Sequence, residues 1–145
     1  MTETVRSAGC ICGSVRLSIT GEPFAMAYCH CESCRRWFGA PVHAGALWPA
    51  EKVRVVVGAE HLATFKRSQR TGSHRKFCTH CGAPVLIDHP DVGMIDIPAV
   101  SVADLEFKPT LHSHYPERVV SFHDGLPKYK TFDPTIVGDG ETVPE

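Results

Sequence analysis

Seven cysteines fall into three tight groups, and that grouping limits what the 145-residue chain can fold into more than any other feature. The groups are Cys10-Ile11-Cys12, then Cys29-His30-Cys31-Glu32-Ser33-Cys34, then Cys78-Thr79-His80-Cys81. A Cys-x-Cys or Cys-x-x-Cys turn can face two sulfurs to one ion, and two such turns complete a tetrahedral zinc shell. Cys10 and Cys12 with Cys78 and Cys81 therefore read as a closed structural site, which ties the first strand to the middle of the chain and removes much unfolded-chain freedom. Cys29, Cys31 and Cys34 are then left as three ligands of a second ion. The fourth position there would go to water, a substrate thiolate or a histidine, the open coordination of a working zinc. Two zinc ions are expected, one structural and one catalytic, the second exposed to loss through oxidation or competing thiols.

Other uses of the same residues stay open at this level. The four cysteines could be buried free thiols or disulfides. One of His30, His43, His112, His114 or His123 could close the second site and make it structural. Cys31 and Cys34 could form a redox dithiol instead. None of the nine histidines stands out as a ligand by its neighbours alone.

Composition narrows the class. Hydrophobic content of 43% and charged content of 21% describe a globular chain, and a net charge of -1 argues against a protein that tracks nucleic-acid phosphates. The opening Met1-Thr2-Glu3-Thr4-Val5-Arg6 holds an acid and no apolar core, unlike a signal peptide, and no apolar run is long enough to span a bilayer. A cytoplasmic location is expected, where clustered cysteines serve metals more often than disulfides. The odd count points the same way, because a disulfide framework would leave one thiol over.

Eleven prolines and twelve glycines separate short apolar runs, with no long helical periodicity. The pattern predicts a mainly β fold of short antiparallel strands with little helix. Residues 15–20 alternate as a half-buried strand, and Val53-Arg54-Val55-Val56-Val57 is the clearest strand by β-branched density. Further strands are expected at 42–47, 61–66, 75–78, 85–88, 94–97, 100–102 and 111–115, with Trp48-Pro49 as an interruption. A single helical turn is expected over 33–38, capped by Ser33 and stopped by Gly39 and Pro41. Residues 1–132 are expected to form one zinc-binding domain, and 133–145, rich in Gly, Pro and acids, a flexible tail.

An open three-thiolate zinc suits chemistry between a thiol and a carbonyl. A coordinating thiol is deprotonated outright, which makes it nucleophilic, and the ion can polarise a small carbonyl. Arg35 and Arg36 follow Cys34 directly, and guanidinium groups bind carboxylates in pairs of hydrogen bonds, as a thiol peptide with free carboxylates would require. Two solvated surface arginines are the plainer alternative. Trp37 and Phe38 suit a core better than a substrate wall.

Three stretches together, Gly9-Cys10-Ile11-Cys12-Gly13-Ser14-Val15-Arg16, Cys29-His30-Cys31-Glu32-Ser33-Cys34-Arg35-Arg36 and Arg75-Lys76-Phe77-Cys78-Thr79-His80-Cys81-Gly82, resemble the glutathione-dependent formaldehyde-activating enzyme family. Phe107-Lys108-Pro109-Thr110-Leu111-His112 and Asp124-Gly125-Leu126-Pro127 extend the resemblance past the last cysteine. The resemblance implies an Mss4-like, tent-shaped β fold and a carbon-sulfur lyase that condenses formaldehyde with glutathione, or runs the reverse. It places a structural zinc on Cys10, Cys12, Cys78 and Cys81 and a catalytic zinc on Cys29, Cys31 and Cys34. The partner it implies is a small thiol, with neither nucleic acid nor membrane; a homodimer is compatible with it. The alternative is a non-catalytic zinc module that binds a protein partner or acts as a chaperone, since the fold alone does not fix the chemistry.

Overall fold

The computed structural model describes residues 3–145; Met1 and Thr2 at the head of the opening segment lie outside the described residues. The chain is mainly β, with ten short strands and one seven-residue α-helix among the described residues. Two compact units can be distinguished among the described residues, one made of residues 3–24 and 46–106 and the other of 25–45 and 107–145.

In the first unit, β1 (Val5–Gly9) and β2 (Arg16–Thr20) form an antiparallel hairpin, with Val5 opposite Thr20 and Gly9 opposite Arg16. β5 (Val53–Val57) pairs on the other side of β2, so the three-stranded order is β1-β2-β5. Leu17 and Ile19 point inward from β2 and are fully buried, as the alternation predicts. β5 confirms as a strand but forms an exposed edge, because β-branched residues favour the pleated backbone without fixing which side is covered. β1 was not expected from its sequence. Its Val-Arg-Ser-Ala-Gly carries little strand preference and becomes a strand through the ladder that β2 offers.

A second antiparallel run follows the order β9-β8-β7-β6: β6 (Leu62–Phe65), β7 (His74–Cys78), β8 (Pro84–His89) and β9 (Met94–Pro98). Val85, Leu86 and Ile87 are consecutive and all buried, which marks β8 as covered on both faces. A bulge in the β7–β8 ladder falls between Lys76 and Phe77, just ahead of Cys78. The strand expected at 100–102 is absent: residues Ala99–Ser101 make a 3-10 turn that leaves Val100 exposed.

β4 (His43–Pro49) runs through Trp48 and Pro49 instead of stopping before them. Trp48 is fully buried and donates its indole N–H to the Gly21 carbonyl at 3.0 Å, so burial with a satisfied donor outweighs the break that the Trp-Pro pair suggests.

In the second unit, β3 (Ala25–Cys29) pairs with β10 (Leu111–Ser113) in parallel, with Ala27 opposite Leu111, Tyr28 opposite His112 and Cys29 opposite Ser113. This is a departure from the all-antiparallel expectation, and the long chain between the two strands supplies the crossover that a parallel pair requires. α1 (Glu32–Phe38) follows β3. Its N-cap is Cys31, not Ser33: the Cys31 sulfur accepts the Cys34 N–H at 3.3 Å, so a thiol group takes the place a serine hydroxyl was expected to fill. Gly39 ends the helix in the left-handed conformation at φ 61. The segment after β10 turns back on it, with His112 N–H donating to the Pro127 carbonyl at 2.9 Å and Tyr129 N–H to the His112 carbonyl at 2.8 Å. Residues beyond 132 also bond to it: Val143 N–H donates to the Lys128 carbonyl at 2.8 Å and Lys130 N–H to that of Glu141 at 2.7 Å.

Candidate functional site

The cysteine groups gather as two clusters. In the first unit, Cys10, Cys12, Cys78 and Cys81 bring their sulfurs within 4.8 Å of one another, and in the second unit Cys29, Cys31 and Cys34 do the same. All seven are free thiols.

The four-cysteine cluster is built from two hairpin loops. Cys10 and Cys12 lie in the β1–β2 loop, which Cys10 N–H closes on the Val15 carbonyl at 3.2 Å. Cys78 and Cys81 lie in the β7–β8 loop, closed by Cys78 N–H to the Ala83 carbonyl at 3.0 Å, with Gly82 at φ 76. Backbone N–H groups point at the sulfurs: Val15 N–H reaches Cys10 Sγ at 3.2 Å and His80 N–H reaches Cys78 Sγ at 3.4 Å. Such donors stabilise thiolates. The sulfurs of Cys10 and Cys12 are 3.6 Å apart, and those of Cys12 and Cys78 are 3.8 Å apart. A tetrahedral ion with metal–sulfur bonds of about 2.3 Å needs sulfurs separated by roughly 3.8 Å. Four thiols at that spacing fit a zinc ion.

The three-cysteine cluster is assembled at the β3–α1 junction. Cys29 ends β3, Cys31 caps α1 and Cys34 sits one turn in. Three thiols so close cannot ionise independently. Hydrogen bonds from Cys29 and then Cys34 pull the Cys31 thiol far below its ordinary value, while the Cys29 thiol is pushed up by Cys31 and the Cys34 thiol by Cys29 and Cys31. A divalent cation is what would let all three ionise, so this donor set too is chemically suited to a metal. Among the described residues no histidine or carboxylate joins the group.

Arg35 and Arg36 diverge. The Arg35 side chain folds back, its Nε donating to the His30 carbonyl at 3.0 Å, and so braces the loop between Cys29 and Cys31. Arg36 is exposed and lies 3.7 Å from Glu32 on the preceding turn. Trp37 and Phe38 are half-buried, and Phe38 stacks flat on His43 at 4.0 Å.

One feature of the second unit is invisible in the order of residues. His30, between two of the cysteines, and His112 on β10 are both fully buried, and His30 Nε2 lies 2.8 Å from His112 Nδ1. His112 Nε2 lies 2.7 Å from an Asp124 carboxylate oxygen. The other Asp124 oxygen accepts from Lys128, whose ammonium also donates to Glu145 at 2.7 Å. Tyr28, Tyr115 and Phe122 pack around the two imidazoles. Burial pushes the His30 imidazole down to about 4, helped by the nearby His112 and by the positive charges of Arg118, Arg35 and Lys128. For Asp124 burial acts upward, but the hydrogen bonds from Lys128 and His112 outweigh it and hold the carboxyl well below the usual range. The Asp124-Gly125-Leu126-Pro127 stretch was the one local clue to this arrangement. Lys128 otherwise reads as a surface residue.

Comparison with known proteins agrees with the architecture. A crystal structure of a Rhodobacter sphaeroides protein superposes with a TM-score of 0.54 at 25% identity, covering 69% of this chain and 90% of that one. No helix among the described residues is long and apolar enough to cross a membrane. Residues 5–117, which include all seven cysteines, match the sequence profile of the glutathione-dependent formaldehyde-activating enzymes, and the chain belongs to that family.

Proposed function

We propose that the protein is a zinc-dependent carbon-sulfur lyase that adds a small thiol, glutathione first among candidates, to a small aldehyde such as formaldehyde, or catalyses the reverse. The observation that carries this reading is the convergence of Cys29, Cys31 and Cys34 on one point with, among the described residues, no histidine or carboxylate in the group. Family membership supports the thiol and the aldehyde.

Cys10, Cys12, Cys78 and Cys81 would hold a structural zinc, and Cys29, Cys31 and Cys34 a catalytic one. Held by three thiolates, the second ion would supply positive charge that favours a substrate thiolate over the thiol and draws electrons from a carbonyl oxygen. In the addition the substrate sulfur bonds to the aldehyde carbon, the carbonyl π bond breaks, and the thiol proton ends on the former carbonyl oxygen. In the reverse step the carbon–sulfur bond breaks and that proton returns to sulfur. The chain's contribution is placement. Arg35 fixes the loop carrying Cys29 and Cys31, and Arg36, exposed beside Glu32, offers a guanidinium that a substrate carboxylate can take over.

The test is adduct formation above the spontaneous rate, with several thiols and aldehydes, in the zinc-loaded chain and in Cys31→Ala. The expected result is an excess rate with at least one pair that Cys31→Ala abolishes. No excess with any pair overturns the reading and leaves a zinc-binding module.

A further inference from the structure

The loop between Cys29 and Cys31 is held at every polar group of His30 but one. Its backbone N–H donates to the Ser113 carbonyl at 3.1 Å, its carbonyl accepts from Arg35 at 3.0 Å, and its ring Nε2 meets His112 Nδ1 at 2.8 Å. Ring Nδ1 is buried and without a partner. The direction of the chain follows from its far end. An ionised carboxylate only accepts, so His112 Nε2 must carry a proton towards Asp124. The contact between His30 Nε2 and His112 Nδ1 therefore ties the His30 ring, through His112, to Asp124 and Lys128.

This construction is expensive if it serves stability alone. The Lys128 side chain is 1% exposed and both imidazoles are fully buried. Well-packed apolar residues in the same volume would be at least as stable. What they could not do is hold the ring between Cys29 and Cys31 in one orientation by hydrogen bonds.

Resting on the reading of Cys29, Cys31 and Cys34 as a metal site, we propose that His112, Asp124 and Lys128 are positioning residues for it. They fix the orientation of the His30 ring and through it the loop that presents Cys29 and Cys31. Outer partners of this kind set ligand geometry, and their loss typically weakens metal binding by about 10- to 100-fold.

Cobalt(II) titration of the full chain tests this, with thiolate-to-cobalt absorption and metal-to-protein stoichiometry as readouts and Cys31→Ala to assign which uptake belongs to the three-cysteine cluster. His112→Phe keeps a ring against Tyr28 but offers His30 no hydrogen-bond partner. His112→Asn places a carbonyl oxygen near the lost Nδ1. The wild type should take two cobalt ions. His112→Phe should weaken the three-cysteine site by about tenfold or more, leave the four-cysteine site unchanged, and His112→Asn should recover most of that loss. Asp124→Asn, a milder change should His112→Phe not fold, is expected to weaken the same site several-fold. Equal weakening of both sites or unchanged affinity in every variant overturns the proposal alone. Uptake of a single cobalt by the wild type overturns the metal reading and the proposal with it.

Discussion

Replacing Asp124 by alanine should be far more harmful than replacing Asp124 and Lys128 together. The Lys128 ammonium is inside the protein, held by Asp124 and by Glu145 at 2.7 Å, and His112 Nε2 spends its proton on Asp124 at 2.7 Å. Asp124→Ala strands a buried cation with one partner and a buried N–H with none. Breaking a buried ion pair from one side costs about 3–5 kcal/mol, and an orphaned buried donor about 1–3 kcal/mol. The Asp124 side chain is 31% exposed, so water can enter where it stood, and the remaining Glu145 contact softens the loss. About 3 kcal/mol is the expected net cost, which for a chain of this length lowers Tm by about 6–12 °C.

Adding Lys128→Met removes the stranded charge and restores apolar volume under Tyr115, so the double variant should lose only about 1–2 kcal/mol. The double variant is then more stable than Asp124→Ala alone by about 1–2 kcal/mol, outside the scatter of independent sites. Urea unfolding of the wild type, both single variants and the double variant closes the cycle, with equal m-values required before the free energies are compared. If the two single losses simply add in the double variant, to within about 0.5 kcal/mol, Asp124 and Lys128 do not support each other and the buried chain of charges is misread.

The same carboxylates predict the acid limb. Asp124 and Glu145 are both held below their ordinary values, the first by the Lys128 and His112 bonds that outweigh burial and the second by Lys128, so they stabilise the fold above the usual carboxylate range. That contribution is lost as pH falls through the range towards their lowered values. The urea midpoint should therefore drop below about pH 4, and Asp124→Asn should flatten the drop; an unchanged limb in Asp124→Asn refutes the assignment. Two glycines separate steric from conformational cost. A Cβ at Gly58 would lie 1.7 Å from the Ser14 carbonyl oxygen, whereas at Gly82 nothing lies within 4 Å, although both have φ near +77 and +76. Gly82→Ala should cost about 1–2 kcal/mol and Gly58→Ala several kcal/mol more or no folded protein, measured by thermal melting with zinc present; equal losses would refute the close approach.

The three-cysteine cluster of the second unit was legible and its mounting was not, and the reason is locality. Cys29, Cys31 and Cys34 lie within six residues, so their convergence needs only a strand end and one helical turn, and chain geometry supplies both. The two pairs that form the other cluster each close a hairpin loop, a fold of a few residues that glycine and spacing announce. Polarity served less well. β5 was readable as a strand by its valines, but the same valines gave no sign that they face solvent. β1 and β3 were not readable as strands at all, because neither segment has β-branched density and each is made a strand by its partner.

His30, His112, Asp124 and Lys128 fail locality and polarity at once. His30 and His112 are 82 residues apart, brought into contact by a parallel pairing that no short-range pattern encodes. Aspartate and lysine are also residue types that patterning assigns to the surface and histidine is an intermediate one, so the inference that places leucines inside gives no reason to place these there. The unusual fact is the burial itself. A lysine is brought in only with its anions, an aspartate in turn accepts from a histidine, and the only member of the chain left with an unpaired ring nitrogen is the one that stands between two cysteines. That termination separates a structural ion pair from a mount for the loop between Cys29 and Cys31, and it depends on the Cys29–Ser113 register: a one-residue slip of β10 would turn His112 to the opposite face and leave His30 without that partner.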